Sequence, residues 1–319
     1  MLKTSEKTSS LVDVARLYYE HDFSQQDIAK KLGISRPSVS RMLQKAREMG
    51  IIRIKIFDPE QRGSHQEKAL QNIYGLKKVI LVPNEDATDL VIKQRLGFVA
   101  ARYLDELLED GLTVGVSWGS TMQEVVKHLQ HRTIRNMTVV QMNGGISRAE
   151  YDTHASEIAL KIGRNYQAIP FLLPLPAIVD QVRVRKAIMS DKNISKTLNL
   201  AKEAQIAMYT IGAFSFNSVL VKADYFDKEE VEELLNDRAV GDVCSRIIDE
   251  NGNICNSKLN ARTIGIGLNE LKKKKYAIAV AGGRVKFNAI RAGLRGKYFN
   301  VLITDEWVAS KLLENTDFS

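Results

Sequence analysis

Residues 24–50 run Ser24-Gln25-Gln26-Asp27-Ile28-Ala29-Lys30-Lys31-Leu32-Gly33-Ile34-Ser35-Arg36-Pro37-Ser38-Val39-Ser40-Arg41-Met42-Leu43-Gln44-Lys45-Ala46-Arg47-Glu48-Met49-Gly50. Ser24 is suited to cap a short helix ending at Leu32, with Asp27 at the capping-box spacing. Gly33 stops that helix, because glycine enters the left-handed conformation without a Cβ clash. Ser35 caps a second helix, and Pro37 falls in its first turn, where a missing N–H costs nothing. Val39, Met42, Leu43 and Ala46 then recur at i, i+3, i+4 and i+7 until Gly50. Two helices about a glycine turn have the layout of a helix-turn-helix. Its expected core is Ile28, Ala29, Leu32, Ile34, Val39, Met42 and Leu43, and the opposite face of the second helix carries Arg36, Ser38, Arg41, Gln44 and Lys45. A recognition helix needs that division, since it anchors its back while its front reaches base edges in the major groove. Arginine can bond bidentately to guanine, and glutamine to adenine. Ser24, Gln25, Gln26 and Ser35 lie at helix starts, where backbone N–H groups suit phosphates. A three-helix bundle with a solvated basic face is the plainer alternative. Against it, residues 30–55 hold eight basic side chains and one acid, Glu48, so positive charge is concentrated on the motif.

Working outward, Leu11, Val14, Ala15, Leu17 and Tyr18 form a preceding helical stripe, and Ile51–Ile56 alternates as the strand of a wing. Residues 1–58 therefore read as a winged helix-turn-helix, Asp58–Ser64 as a joint, and 59–319 as a second, larger domain. In that domain short apolar runs (Val79–Val82, Leu112–Val116, Met137–Met142, Ile206–Ile211, Ala277–Ala281, Val301–Thr304) alternate with helical patterns. Such alternation indicates an α/β domain, a doubly wound, mostly parallel sheet covered on both faces.

The bulk properties agree with a DNA-binding cytoplasmic protein. The chain has 319 residues, 44% hydrophobic and 26% charged, with a net charge of +8. No run approaches the roughly 20 apolar residues of a membrane span, and the polar N-terminus does not read as a signal peptide. Cys244 and Cys255 form no Cys-x-x-Cys pair and read as buried thiols in a reducing compartment. Neither a metal nor a cofactor is called for.

Three glycine-bearing turns follow strands, at the edge where parallel sheets bind ligands. They are Ser117-Trp118-Gly119-Ser120-Thr121, Asn143-Gly144-Gly145, and Gly282-Gly283 with Lys286 beyond. Amide hydrogens and hydroxyls at a helix start suit a phosphate, and Lys286 can pair with the anion. Tight turns that merely let helices pack are the competing reading. Gly115-x-Ser117-x-Gly119 also matches a nucleophile elbow. However, the last histidine, His154, follows Ser117 by only 37 positions, too few for a hydrolase triad in that order. Asp249–Asn253 has its glycine at the wrong place for a calcium loop and reads as an Asn-Gly hairpin turn. Lys272–Lys275 reads as a solvated loop.

Taken together, these motifs resemble the SorC family of sugar-responsive transcriptional regulators, in particular the branch of the deoxyribonucleoside regulator. Ser24–Ala29, Ile34–Arg41, Gly115–Thr121, Leu173-Pro174-Leu175-Pro176, Ala239-Val240-Gly241-Asp242 and Val280–Gly283 carry the resemblance in order. It implies an effector domain similar to sugar-phosphate isomerases, a homodimer or homotetramer, and a small phosphorylated sugar as inducer releasing double-stranded operator DNA. By the same resemblance Ser117, Gly119, Ser120, Thr121, Asn143, Gly144, Gly145, Asp242 and Lys286 would line the pocket. In that branch a lysine precedes the paired glycines and captures a sugar aldehyde as a Schiff base. Asn143 stands there in this chain, and an amide forms no imine, so noncovalent binding is expected. A sugar-phosphate isomerase or deaminase with a DNA-binding appendage is the alternative.

Overall fold

A computed structural model describes residues 2–21, 23–52, 65–84, 87–145 and 153–315. The chain divides into two compact units, Met1–Gln61 and Arg62–Ser319.

The first unit holds α1 (Leu2–Tyr19), α2 (Gln25–Leu32) and α3 (Arg36–Glu48). Ser24 Oγ accepts the Asp27 N–H, and Gly33 turns left-handed at φ 63°, closing α2. Ser35 Oγ accepts the Ser38 N–H at the start of α3. At its end Gly50, at φ 72°, redirects the chain. Val14, Ile28, Ala29, Val39 and Leu43 form the core, with Leu17, Tyr18 and Met42 packed against it. Leu32 and Ile34 do not join it; they are 42% and 36% exposed, because both flank the turn, outside the wedge that α1 closes. Arg47 donates to the Tyr19 hydroxyl at 2.7 Å, tying α3 to α1. The expected wing strand falls mostly outside the described residues, and Ile51 and Ile52 form a bend.

The second unit contains β1 (Lys78–Val82), β2 (Thr113–Val116), β3 (Thr138–Gln141), β4 (Ile169–Phe171), β5 (Ile206–Tyr209), β6 (Ile211–Ala213), β7 (Ala239–Val243), β8 (Arg246–Asp249), β9 (Tyr276–Val280) and β10 (Val301–Asp305). Its helices are α4 (His65–Tyr74), α5 (Asp89–Leu107), α6 (Ser120–Lys127), α7 (Ala155–Tyr166), α8 (Val182–Ser190), α9 (Lys192–Glu203), α10 (Val219–Lys222), α11 (Lys228–Asn236), α12 (Ser257–Asn260), α13 (Leu268–Leu271), α14 (Phe287–Arg295) and α15 (Glu306–Glu314). Seven strands make one parallel sheet in the order β1-β10-β9-β5-β2-β3-β4. Helices α5, α6 and α7 pack together beside it. Buried residues of α4, α9, α13, α14 and α15 join one apolar cluster with strand residues such as Ala207, Ala279 and Leu302. Burial on both sides explains why the strands read as continuous apolar runs.

Three features depart from the sequence reading. The run Ile206–Ile211 is two strands: it breaks at Thr210, and β6 joins β7 and β8 in a separate antiparallel sheet. Lys274, expected in a solvated loop, is 5% exposed. Its ammonium donates to the Ala201 carbonyl at 2.7 Å and to that of Lys202, where a cation meets the C-terminal end of α9. Asp249–Asn253 does form a hairpin turn, but only Gly252 is left-handed, at φ 81°. The Gly252 N–H donates to the Asp249 carbonyl, and the Asp249 N–H to that of Asn253, a wider turn than two-residue Asn-Gly.

The Ser35 cap has a measurable weight. Ser35→Ala is expected to cost about 1 kcal/mol and to speed hydrogen exchange of the Val39–Ala46 amides about five-fold; unchanged exchange would show that the cap does not hold α3.

Candidate functional site

Strand β2 sits beside β5 in the sheet but precedes β3 and β4 in the chain, whereas β5 is followed by β9 and β10 on the other side. Between β2 and β5 the order of winding therefore reverses, and such a switch point opens a crevice at the carboxyl ends of the strands. A cavity of about 240 Å³ lies there. The β2–β5 ladder runs one step beyond the strands, with Ser117 N–H donating to the Met208 carbonyl at 3.2 Å. Gly119 then begins α6 at φ 129°, in a region that favours glycine, and an added Cβ would also lie 3.0 Å from Thr210 Cγ2. With no side-chain cap at this helix start, the first-turn N–H groups have neither an intrahelical acceptor nor a capping oxygen. Across the cavity, Lys286 donates to the Thr210 hydroxyl at 2.9 Å. Gly283, at φ 90°, donates to Asp305 Oδ2 at 2.6 Å, while Asp305 Oδ1 accepts the Trp307 and Val308 N–H groups. One buried carboxylate thus caps α15 and pins the glycine turn beside the cavity.

The small sheet supplies the remaining wall. Asp242 pairs with Gly212 across β6 and β7, and a Cβ on Gly212 would stand 2.0 Å from Asp242 Oδ1. The two-residue turn between β7 and β8 is Cys244-Ser245, both left-handed at φ 49° and 65°. Positive φ at both centres is the geometry that matches strand twist, normally met by Asn-Gly. Ser245 N–H donates to Asp242 Oδ2 at 3.2 Å, fixing the carboxylate.

The sequence-predicted residues part into two groups. Ser117, Gly119, Ser120, Asp242 and Lys286 line the cavity; Thr121, Asn143, Gly144 and Gly145 do not. Thr121 is buried. Asn143 stands one step behind the wall, its Nδ2 donating to Ser245 Oγ at 2.8 Å. The paired glycines are packing positions: a Cβ on Gly144 would meet the Pro176 carbonyl at 2.2 Å, and one on Gly145 the Trp118 ring at 2.7 Å. Trp118 also donates to the Gly144 carbonyl at 2.8 Å. Sequence reasoning missed Asp89 and Lys93 on α5, Thr210, and the Ser215–Val219 segment. Thr88 capping α5 was the one local signal, but only the strand order shows that this helix start faces the cavity.

Charge in the cavity is held off its ordinary balance. Burial, helped by the nearby Lys93 charge, brings the Lys286 ammonium down to about 8, while Asp242 and Asp89 work against that fall. Burial raises the Asp242 carboxyl to about 6, opposed by the Ser245 N–H and by Lys286. Buried Cys244 is pushed up to about 12, so it is no thiolate nucleophile near neutrality. Cys255 is only half-buried, contrary to the sequence reading.

In the first unit, Arg36, Arg41, Gln44 and Lys45 are exposed on α3 opposite buried Val39, Leu43 and Ala46. Ser24, Gln26 and Ser35 are exposed, while Gln25 and Ser38 are half-buried. The hydroxyls of Ser24 and Ser35 are engaged with Asp27 and Ser38, so a phosphate there would meet backbone amides.

Residues 58–314 match the family described as a putative sugar-binding domain, and residues 8–61 match a Crp-like helix-turn-helix domain. The chain is 39% identical to the deoxyribonucleoside regulator of Bacillus subtilis, over 97% of this chain and 99% of that one. This chain belongs to the SorC family of transcriptional regulators. The sorbitol operon regulator of Klebsiella pneumoniae is 29% identical, over 98% of this chain and 100% of that one. Its full-length crystal structure superposes with a TM-score of 0.72 at 28% identity, covering 96% of this chain and 98% of that one. This regulator therefore joins a DNA-binding helix-turn-helix to a sugar-binding α/β domain. Among its described residues no helix is long and apolar enough to cross a membrane.

Two outcomes follow from this geometry. Gly144→Ala should destabilise the regulator by about 1–3 kcal/mol through overpacking, read as a Tm lowered by several °C. A wild-type Tm would contradict the packing role. Lys286→Met should raise Tm by a few °C at pH 7. Lys286 is depressed in the folded state, so below about 8 the fold bears the full penalty of a buried ammonium, and that penalty fades as pH rises from about 8 towards 10.5. The gain should therefore vanish in calorimetry at pH 10.5.

Proposed function

We propose that this SorC-family member is a repressor of a carbohydrate or deoxyribonucleoside catabolic operon, bound to its operator as a homodimer or homotetramer and released by a small phosphorylated sugar. The observation that carries the reading is the convergence of the glycine-started α6, Lys286 and Lys93 on one cavity at the switch point. Uncapped amides bind phosphate oxygens, and lysine supplies the counter-charge. Asp242, the Ser117 hydroxyl and Asn217 remain to hold sugar hydroxyls. With Asn143, which can form no imine, in place of the branch's lysine, we infer noncovalent binding; borohydride treatment of the loaded protein should leave its mass unchanged, and a mass increase would assign imine formation to Lys286 or Lys93 instead.

Control of DNA follows by linkage. A ligand that prefers the DNA-incompetent arrangement lowers operator affinity by the factor by which DNA lowers its own. A two-fold dimer sets its helices on half-sites about one helical turn apart, or a multiple of it. Operator affinity should fall steeply with salt as counterions are released. A repressor of this kind works beside the chromosome, in the cytoplasm.

The Asp242–Lys286 pair, one raised and one lowered, also favours a second reading as a proton-transferring isomerase or deaminase. Pentose and hexose phosphates incubated for hours with the protein separate the two: any turnover supports the enzyme, and binding with no product supports the sensor.

The decisive test is thermal shift with a panel of sugar phosphates and their unphosphorylated parents, followed by a DNA mobility assay with each hit. Affinity should fall above pH 8, as Lys286 loses its proton, and also below pH ~6, where a phosphomonoester becomes a monoanion. Arg41→Ala should lose DNA and keep the ligand; Lys286→Met should do the reverse. Loss of both activities in both variants would refute this division of labour.

A further inference from the structure

Asn143 does not reach the cavity, yet its buried amide acts on the cavity wall. Its Nδ2 donates to Ser245 Oγ at 2.8 Å, while its Oδ1 has no partner among the described residues. Ser245 is itself buried and lines the cavity. A serine hydroxyl has two acceptor lone pairs and one proton to give. One lone pair is taken by Asn143, so the proton must go elsewhere, and no acceptor for it stands among the described residues. The Ser245 N–H meanwhile donates to Asp242 Oδ2 at 3.2 Å, which brings the hydroxyl and the carboxylate into one corner of the cavity. The turn that presents them holds Ser245 at φ 65°, a conformation that serine adopts only against a penalty.

We propose that Asn143 is a positioning residue that fixes the Ser245 hydroxyl as a donor into the cavity, so that Ser245 and Asp242 together select a ligand carbon bearing a hydroxyl over one bearing a carbonyl. This rests on the sugar-phosphate reading above and names the ligand class: a polyol phosphate or a ring-closed sugar phosphate. A ligand hydroxyl accepts the Ser245 proton and gives its own to Asp242, which satisfies both groups. A carbonyl oxygen only accepts, so the carboxylate receives no donor from the ligand. An ammonium only donates and leaves the Ser245 proton unmet. A contact that merely braced the β7–β8 turn would be indifferent to these differences.

Calorimetric titration of the full chain at pH 7 tests this with two pairs of open-chain phosphates that differ only in one carbonyl: glycerol 3-phosphate against dihydroxyacetone phosphate, and ribitol 5-phosphate against ribulose 5-phosphate. In at least one pair the alcohol should bind roughly ten-fold tighter than its carbonyl partner. Asp242→Asn should bring that ratio close to one, because an amide donates as well as accepts and can serve the carbonyl. A change in charge alone would move both members together and leave the ratio as it was. Asn143→Ala frees the Ser245 hydroxyl to turn; it should weaken the preferred alcohol roughly five-fold and leave inorganic phosphate binding unchanged. Equal affinity within both pairs, a ratio that Asp242→Asn does not alter, or an Asn143→Ala variant that loses inorganic phosphate to the same degree overturns the selection while leaving the sugar-phosphate reading intact. So does rejection of both pairs by a protein that binds ring-closed sugar phosphates. Wild-type protein that ignores inorganic phosphate and every sugar phosphate overturns both. Should Asn143→Ala fail to fold, the ratio in Asp242→Asn still decides.

Discussion

Where β2 lies parallel to β5, with Val114 opposite Ile206 and Val116 opposite Met208, the chain leaves the sheet in two directions. After β2 it turns at Gly119 into α6; after β5 it breaks at Thr210 and enters the small antiparallel sheet. Neither connection closes over the strand ends between them, which is why a parallel sheet gathers ligands at such a point. The cavity follows from strand order before any side chain is chosen. Side chains then decide what it accepts: hydroxyls and amides from the β2 side, an ammonium from the β9 side, a carboxylate from the small sheet.

Holding those groups there costs stability. Lys286 and Asp242 are both moved towards neutrality by burial, and Cys244 and Ser245 both occupy left-handed backbone, which L-residues adopt at a cost of order 1–3 kcal/mol each. Gly212 is confined to glycine only because Asp242 occupies the space of its missing Cβ. Local conflicts of this kind collect where a ligand can relieve them. An anion would restore charge to Lys286, and a hydroxyl would hydrogen-bond to Asp242.

How much of this could be read from the chain depended on the range of each signal. The helix-turn-helix was legible because its caps, turn glycine and apolar stripe all lie within a few residues of one another. The misplaced core positions, Leu32 and Ile34, are those whose burial depends on where α1 sits. In the large unit the runs containing β1, β2, β3, β5, β9 and β10 announced themselves, while the three-residue β4, whose Ile169 and Pro170 are exposed, did not. Of the glycine turns, Ser117–Ser120 and Lys286 reach the cavity, whereas Asn143–Gly145 serves packing. No local pattern separates these cases, because close approach to a ligand and close approach to a carbonyl oxygen both require the absence of a Cβ. Asp89 and Lys93 were invisible for a different reason: α5 joins the site through the β1–β10–β9 order, a property of the whole sheet.

The small sheet ties the cavity wall to an outer helix of the large unit. Strand β7 carries Asp242 in the cavity wall and also packs against α11. Between its first residue and Asp242 the pairing with β8 slips, with a register shift between Ala239 and Gly241. A bulge bends the strand that carries it and interrupts the ladder, so the two ends of β7 are not locked to one rigid register. A ligand that draws on Asp242, as proposed, would therefore act on a strand that α11 also packs against. If the ligand and the proposed pairing of two copies favour different settings of that strand, each must weaken the other by the same factor, since coupling between bound states is reciprocal. Under the proposed pairing, altering how two copies associate would alter the spacing of two recognition helices, and spacing is what an operator with two half-sites measures.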